Sequence, residues 1–285
     1  MSYRGNCKTP RPRKIMAQKG DFAVAWSFPI ASYKSFIPLS LLFFSFNIQE
    51  CDKFYPALHP HQTRWEGHSL HSSDITTLTC ALDQPYTYLG RGGQATAFVS
   101  QDGQFVIKFF KQKKLEDCRD QTFSSYTIAF DELTSESQLI YIHLNSTNHL
   151  KKSIRLSDST GKERWVELDT CDFVVQRRAV LPLEYLQDLM KRGHREEAQQ
   201  AIDQLIQIIQ ATYKKGVRNR DPNIIKNYGF IQGAPVLIDA GRLVKCKNHK
   251  EKARYHKKLK RSLYRLQEWL DSHFPELKVP EPIDA

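Results

Sequence analysis

Short stretches of alternating apolar and polar residues begin near residue 84 and predict a series of strands. The first three predicted strands cover residues 86–89, 95–100 and 105–110. A glycine-rich turn at 90–93 joins the first pair, and Asp102-Gly103 stands where a hairpin turn is expected between the second and third strands. The pattern therefore predicts three consecutive antiparallel strands at the start of a folded domain.

Helical spacing appears further along the chain. Residues 127–144 carry apolar side chains three and four positions apart, which predicts one amphipathic helix. The same pattern analysis predicts strands at 152–156, 164–168 and 173–175, and helices at about 183–192 and 195–214. Because strands come first and helices follow, the order favours an α+β fold.

A second apolar region, residues 21–46, precedes this domain. Its densest part, 36–46, has 11 residues, whereas a helix across a bilayer needs roughly 20. That length is typical of the apolar part of a signal peptide behind basic residues, although no clear cleavage site follows. The stretch 22–46 would span a bilayer only if Lys34 were tolerated, and a buried hydrophobic segment is the alternative.

These features predict four parts of the chain: a basic, apolar leader (1–50), a linker (51–83), the main domain (84–275) and a tail (276–285). We predict that the leader associates with a membrane through residues 21–46 or directs export. A cytoplasmic protein is the alternative.

The chain is basic, with 42 Lys and Arg against 31 Asp and Glu and a formal net charge of +11. The excess is concentrated in residues 1–19 and 245–265. Such an excess suits nucleic acid, anionic membranes or phosphorylated ligands, but a solvated helix face explains the second cluster equally. Nucleic acid is the least favoured partner, because charge alone supports it. The six cysteines include no Cys-x-x-Cys pair, so a structural zinc site is not expected.

Candidate chemistry begins at the glycine-rich turn. Gly90, Gly92 and Gly93 would let the main chain approach a phosphate closely. Lys108 follows in the third predicted strand, at the end of Val-Ile-Lys. This pattern resembles the Gly-rich loop and the V-A-I-K lysine of protein kinases, with Ala95 at the position of the third glycine. The resemblance implies that these residues bind ATP.

The helix predicted at 127–144 follows the lysine strand, as the αC helix does in kinases. That helix supplies a glutamate that pairs with the lysine. Glu136 shares a helical face with Leu133 and Ile140 and is the residue we expect in this role, with Glu132 as the alternative.

A third group of residues lies near the end of the domain. Asp221 and Asn227 stand in a polar loop, and Asp239 follows an apolar strand and precedes Gly241 by two positions. This order resembles the H-R-D-x-x-x-x-N loop and the D-F-G segment of kinases. It implies that Asp221 orients the acceptor hydroxyl, and that Asn227 and Asp239 bind Mg²⁺. Lys226-Asn227 before an aromatic residue also resembles the loop of bacterial toxin-type serine kinases.

The loop departs from the kinase pattern in two ways. Asp221 and Asn227 are six positions apart rather than five, and Asn219-Arg220 replaces the His-Arg pair. Asn223 is an alternative metal ligand, in which case Arg218 stands at the position of the catalytic aspartate and a pseudokinase is implied. A polar turn without function is the third interpretation.

The order of these motifs implies a two-lobed protein-kinase-like fold with an antiparallel N-lobe sheet and a reduced helical C-lobe. The expected function is ATP-Mg-dependent phosphotransfer to an unknown protein or small-molecule acceptor. A pseudokinase that binds nucleotide and acts as an interaction module is the alternative. Lys108, Asp221 and Glu136 would be the catalytic residues, with ATP and Mg²⁺ as cofactors.

Overall fold

The computed structural model describes residue 65 and residues 72–221, 223–246 and 249–280. All of them belong to one unit, Ile48–Ala285. The predictions for the leader, including membrane attachment through 21–46, lie outside the described residues. No helix in the described part of the chain is both long enough and apolar enough to cross a membrane.

A seven-stranded sheet forms the first part of the fold. Its strands are β1 (Tyr86–Arg91), β2 (Ala95–Ser100), β3 (Phe105–Phe110), β4 (Leu139–His143), β5 (Ser153–Ser157), β6 (Glu163–Glu167) and β7 (Phe173–Arg177). They lie in the order β4-β7-β3-β2-β1-β5-β6, and only the β1–β5 pair is parallel. The three strands predicted around the glycine-rich turn and the Asp-Gly hairpin are therefore confirmed.

Helices and short hairpins make up the rest. The helices are α1 (Ser72–Leu82), α2 (Gln112–Glu132), α3 (Thr134–Ser137), α4 (Pro182–Lys191), α5 (Arg195–Lys214), α6 (Ile224–Asn227) and α7 (His249–His273), with a 3₁₀ turn at Leu168–Thr170. Four short strands form two antiparallel pairs: β8 (Val217–Asn219) with β11 (Leu243–Lys245), and β9 (Tyr228–Ile231) with β10 (Ala234–Leu237). The chain is thus a mixed fold of strands and helices.

The single helix predicted at 127–144 is wrong at both ends. The helix α2 begins at Gln112 and ends at Glu132, the short helix α3 follows, and Leu139–His143 form strand β4. Gln138 adopts the left-handed conformation with φ 51°, which ends the helical path before the strand. Every residue of β4 is buried, and a short apolar run buried on both faces cannot be distinguished from a helix by its periodicity.

Two regions predicted to lie outside the domain are packed against it. Within the predicted linker, Leu78, Ala81 and Leu82 of α1 are buried in the core on one face of the sheet. In the predicted tail, Leu277 is fully buried, and the main-chain oxygen of Lys278 accepts a hydrogen bond of 2.7 Å from Gln199 on α5. The predicted boundaries at 84 and 275 are therefore corrected by the structure.

The sheet separates two hydrophobic cores. On one face, Phe98, Phe109 and Phe173 form a line of ring contacts beneath α1. On the other face, Val174 packs with the core that contains α2, α5 and α7. Because Lys108 is paired with Val174 across β3 and β7, its side chain emerges on this second face, toward the helices.

Asp169 fixes the long connection between β4 and β5. Its carboxylate accepts main-chain hydrogen bonds from Leu150 (3.1 Å) and Lys151 (2.6 Å) and a third bond from the Thr147 hydroxyl. Burial alone raises the pKa of Asp169, but these hydrogen bonds outweigh it, so the pKa lies below its ordinary value.

We expect Asp169→Asn to lower the free energy of unfolding at pH 7 by about 2–3 kcal/mol, because charge-assisted bonds to a buried carboxylate are lost. A carboxylate whose pKa is depressed on folding stabilises the protein above its unfolded pKa of about 3.9 and loses this effect as the pH falls. The difference between wild type and variant should therefore shrink in acid. Urea titrations at several pH values measure it, with the exposed Asp188→Asn as control.

Candidate functional site

The glycine-rich turn joins β1 to β2. The Gly92 amide donates to the Ala95 oxygen at 2.9 Å, and the ammonium of Lys111 donates to the Gly92 oxygen. A Cβ atom added at Gly90 or Gly93 would meet no atom within 4 Å. The packing of the chain itself therefore does not require glycine at these two positions, and the space beside them is open.

Lys108 lies on β3 and is half-buried. Its ammonium donates to Oε1 of Gln176 at 2.8 Å and to the main-chain oxygen of Ile238. Burial lowers the pKa of Lys108, and the negative charge of Asp239 opposes this effect. The Lys108 ammonium therefore contacts the residue before Asp239, and Asp239 is close enough for its charge to act on Lys108.

Gln176 was not predicted as a site residue. Besides accepting from Lys108, its side-chain amide donates to the main-chain oxygens of Ser137 (2.5 Å) and Leu237 (2.9 Å). One buried amide thus joins β7, the end of α3 and the strand that leads to Asp239. A polar residue directly after the apolar run Phe173-Val-Val was the available signal, because a buried polar group in a strand needs partners.

The predicted ion pair between Lys108 and Glu136 is not formed. Glu136 pairs with Lys215 at 2.6 Å, while the alternative, Glu132, pairs with Lys245. Burial raises the pKa of Glu136, but hydrogen bonds from Lys215 and Ser135 lower it by more. The ion pair is not formed because α2 ends at Glu132. Glu136 therefore lies on the separate turn α3 and not on a continuous helix that faces Lys108.

The hairpin β9–β10 positions Asp239. The main-chain amides of Ile238 and Asp239 donate to the main-chain oxygen of Asn227 at 2.8 and 3.2 Å. These bonds fix the end of β10 against the end of α6. Oδ1 of Asp239 accepts a bond of 3.0 Å from the Gly241 amide. Asp239 is thus held between the polar loop and the lysine strand.

The polar loop places Asn227 next to Asp221. The buried side-chain amide of Asn227 donates to the Asp221 main-chain oxygen at 3.2 Å. Oδ1 of Asp221 accepts from the Asn223 amide at 3.0 Å. Asn223 is exposed, and its side chain caps α6 by accepting from the Lys226 amide at 3.1 Å. Of the two asparagines, Asn227 is therefore the one bonded to the Asp239 segment.

Gln94 connects the glycine-rich turn to this segment and was also not predicted. Its side-chain amide donates to Oγ1 of Thr122 on α2 at 3.0 Å and to the Gly241 oxygen at 3.1 Å. A Cβ atom at Gly241 would stand only 2.0 Å from Oε1 of Gln94. Gly241 is therefore needed for the close approach of the turn to the Asp239 segment.

We expect Gly241→Ala to lower the free energy of unfolding by about 1–2 kcal/mol, because Gln94 must move and give up hydrogen bonds. The glutamine end is flexible, so a larger loss is not expected. In a Gln94→Ala background the same change should cost much less, since the obstructing atoms are gone. Urea unfolding of the four proteins measures the coupling, and equal losses in both backgrounds would contradict the close contact.

The predicted metal ligands suit Mg²⁺ in their chemistry. Asp239 offers a carboxylate whose Oδ2 has no hydrogen-bond partner among the described residues, and Asn227, whose main-chain oxygen accepts from the Asp239 amide, carries an amide oxygen of the kind Mg²⁺ prefers. Mg²⁺ is usually held by one or two carboxylates together with substrate phosphates. In the described part of the chain, no three His, Cys, Asp or Glu side chains group as a protein-only metal site would require.

A surface groove of about 540 Å³ lies elsewhere, beside α3. It is lined by Glu132, Ser135, Arg177 and Lys215, among others. Lys108, Asp221 and Asp239 do not line it, so this groove is separate from the predicted site.

Comparison with known proteins adds little to these contacts. No protein-family model matches the chain. No curated protein matches it either. Among solved structures, the ROP18 kinase domain in complex with AMP-PNP and sucrose is similar, with a TM-score of 0.37 and 14% identity. The chain spans 62% of that structure's length, and 62% of the chain is covered.

Proposed function

We propose that residues 72–280 form a two-lobed, protein-kinase-like domain that binds ATP with Mg²⁺ and transfers its γ-phosphoryl group to a hydroxyl acceptor. The observation that carries the proposal is the meeting of three segments: the ammonium of Lys108 contacts Ile238, next to Asp239, and Gln94 after the glycine-rich turn contacts Gly241. These segments are far apart in sequence, and their order matches the kinase motifs.

The lysine and the glycine-rich turn would hold the phosphates. Lys108 is already directed at the Asp239 segment, and an arriving phosphate would exchange with the Ile238 oxygen as its partner. The open space at Gly90 and Gly93 leaves room for phosphate oxygens beside the main chain. Leu89, next to the turn, is 46% exposed, and Val180, after β7, is 40% exposed. These apolar side chains are suited to cover a purine ring.

Asp239 and Asn227 would hold Mg²⁺, which when bound neutralises phosphate charge during transfer. Asp221 would orient the acceptor hydroxyl and take up its proton. Its main chain is bonded to Asn227, so the acceptor-orienting residue and the metal ligands form one connected unit. The acceptor is a protein or a small molecule, and the described residues offer no motif that distinguishes the two.

A nucleotide-binding pseudokinase is the second candidate, favoured by one observation. Lys108 is held by the neutral amide of Gln176 instead of a glutamate, so the lysine–carboxylate pair required in active protein kinases is missing between Lys108 and Glu136. A domain of this kind would bind nucleotide without transferring phosphate.

Incubation of the full chain with ATP and Mg²⁺ tests both candidates. A phosphotransferase should form ADP and transfer label from the γ-position to itself or to an added generic acceptor such as casein. ATP binding without ADP formation would identify the pseudokinase. No ATP binding would contradict the proposed site.

A further inference from the structure

The C-terminal helix α7 has an unusually basic exposed face. Between Lys252 and Gln267 the sequence contains no aspartate or glutamate. Among residues 256–267, whose side chains the structure describes, the exposed residues are five cations and one aromatic residue. They are Lys257, Lys258, Lys260, Arg261, Tyr264 and Arg265. We refer to these six residues as the basic face.

The basic face is separate from the packing of the helix. Leu263, Leu266 and Leu270 lie on the opposite side, buried in the core. With 100° per residue, the six exposed residues occupy an arc of about 160°. The apolar side of α7 is thus used for folding, and the five cations of the basic face point toward solvent.

Folding of the chain does not account for these charges. None of the five cations has an acidic partner within 4.0 Å among the described residues. Some exposed cations elsewhere do have such partners, as Arg192 has in Asp188 and Lys278 in Asp271. Lys257, Arg261 and Arg265 are spaced four apart, which places like charges next to one another and weakens the helix. A face that opposes folding in this way is explained if an anionic partner neutralises it.

We propose that the basic face binds an anionic membrane surface. Lipid phosphates on a plane can meet cations spread along one side of a helix, because long Lys and Arg side chains can bend toward them. Tyr264 is 66% exposed within the face, and tyrosine is favoured at membrane interfaces. The buried apolar side excludes insertion of α7 itself, so binding is electrostatic and peripheral.

One feature of the sequence favours lipid over nucleic acid. Besides the basic face, the sequence has a second candidate membrane signal, the apolar run 36–46 behind basic residues. Stable membrane attachment generally takes two weak signals, for example one apolar anchor and one polybasic patch.

The test compares sedimentation of the full-length protein with two kinds of vesicle: pure phosphatidylcholine, and equal parts of phosphatidylcholine and phosphatidylserine. The variant K257Q/K260Q/R261Q/R265Q removes four cations and keeps good helix formers on the surface. The control K151Q/K162Q/K191Q/K214Q removes four exposed cations at other places and has the same net charge. Circular dichroism checks that both variants fold.

Each cation near an anionic surface strengthens binding roughly fivefold, so the basic-face variant should partition into phosphatidylserine vesicles about a hundredfold or more less than wild type. The control should bind like wild type, and high salt should release both proteins from the vesicles.

Equal binding of the basic-face variant and wild type would overturn the proposal. So would absence of wild-type binding to phosphatidylserine vesicles combined with basic-face-dependent binding to a short RNA or DNA duplex. Binding to pure phosphatidylcholine that is equal in all three proteins would come from the apolar run 36–46. The deciding result is therefore the difference between wild type and the basic-face variant in binding to phosphatidylserine vesicles.

Discussion

Asp239→Asn is expected to abolish Mg²⁺-dependent ATP binding, with apparent affinity falling at least about a hundredfold. Asparagine keeps an oxygen that can accept from the Gly241 amide, so the turn after β10 should persist. What disappears is the negative charge, which both attracts Mg²⁺ and opposes the effect of burial on Lys108. The variant should therefore remain folded and lose the metal-dependent part of binding.

Isothermal calorimetry with ATP, in Mg²⁺ and in EDTA, measures this effect. Asp203→Asn is the matched control, because Asp203 lies on α5 and, among the described residues, accepts only from Gln199 in the same helix. The control should titrate like wild type. Identical heats for wild type and Asp239→Asn would show that the carboxylate is not a metal ligand.

Asp221→Asn is expected to reduce phosphoryl transfer about a hundredfold or more while leaving ATP binding unchanged. The asparagine retains an oxygen for the Asn223 amide, so the loop geometry that holds Asn227 should be preserved. The lost function is the proton acceptor for the substrate hydroxyl, which binding of nucleotide does not need.

Rates of ADP formation and calorimetric affinities, measured on the same preparation, separate the two functions. Asn223→Ala serves as a comparison, since Asn223 is exposed and only caps α6. It should affect stability more than transfer. If wild type shows binding but no transfer, and Asp221→Asn changes nothing, the pseudokinase candidate is the one supported.

The sequence predicted the parts of this site that depend on local chemistry. Asp102-Gly103 marked the hairpin, and Gly103 adopts φ 72°, a conformation that glycine allows. The strand that carries Lys108 and the strand pair before Asp239 were equally visible, because apolar runs bounded by turn residues are local signals.

What could not be predicted depends on contacts between distant residues. Glu136 shares a helical face with Leu133 in the sequence, but α2 ends at Glu132, before both residues, and Lys215 after α5 binds the carboxylate instead. Gln176 becomes the partner of Lys108 only when β7 pairs with β3. Gln94 likewise has its role because Gly241, 147 positions away, lies beside it in the fold.

The central claim is that Lys108 and Asp239 share one nucleotide site. An acyl-phosphate derivative of ATP tests it most directly, because a lysine amine beside the phosphates attacks the acyl carbon and releases ATP, leaving an acylated lysine. Burial lowers the pKa of Lys108, which favours the neutral, nucleophilic amine. Peptide mass spectrometry of the labelled full-length protein should find Lys108 acylated, with protection by excess ATP and Mg²⁺ and loss of labelling in Asp239→Asn. Labelling confined to exposed lysines and unaffected by ATP would contradict the site.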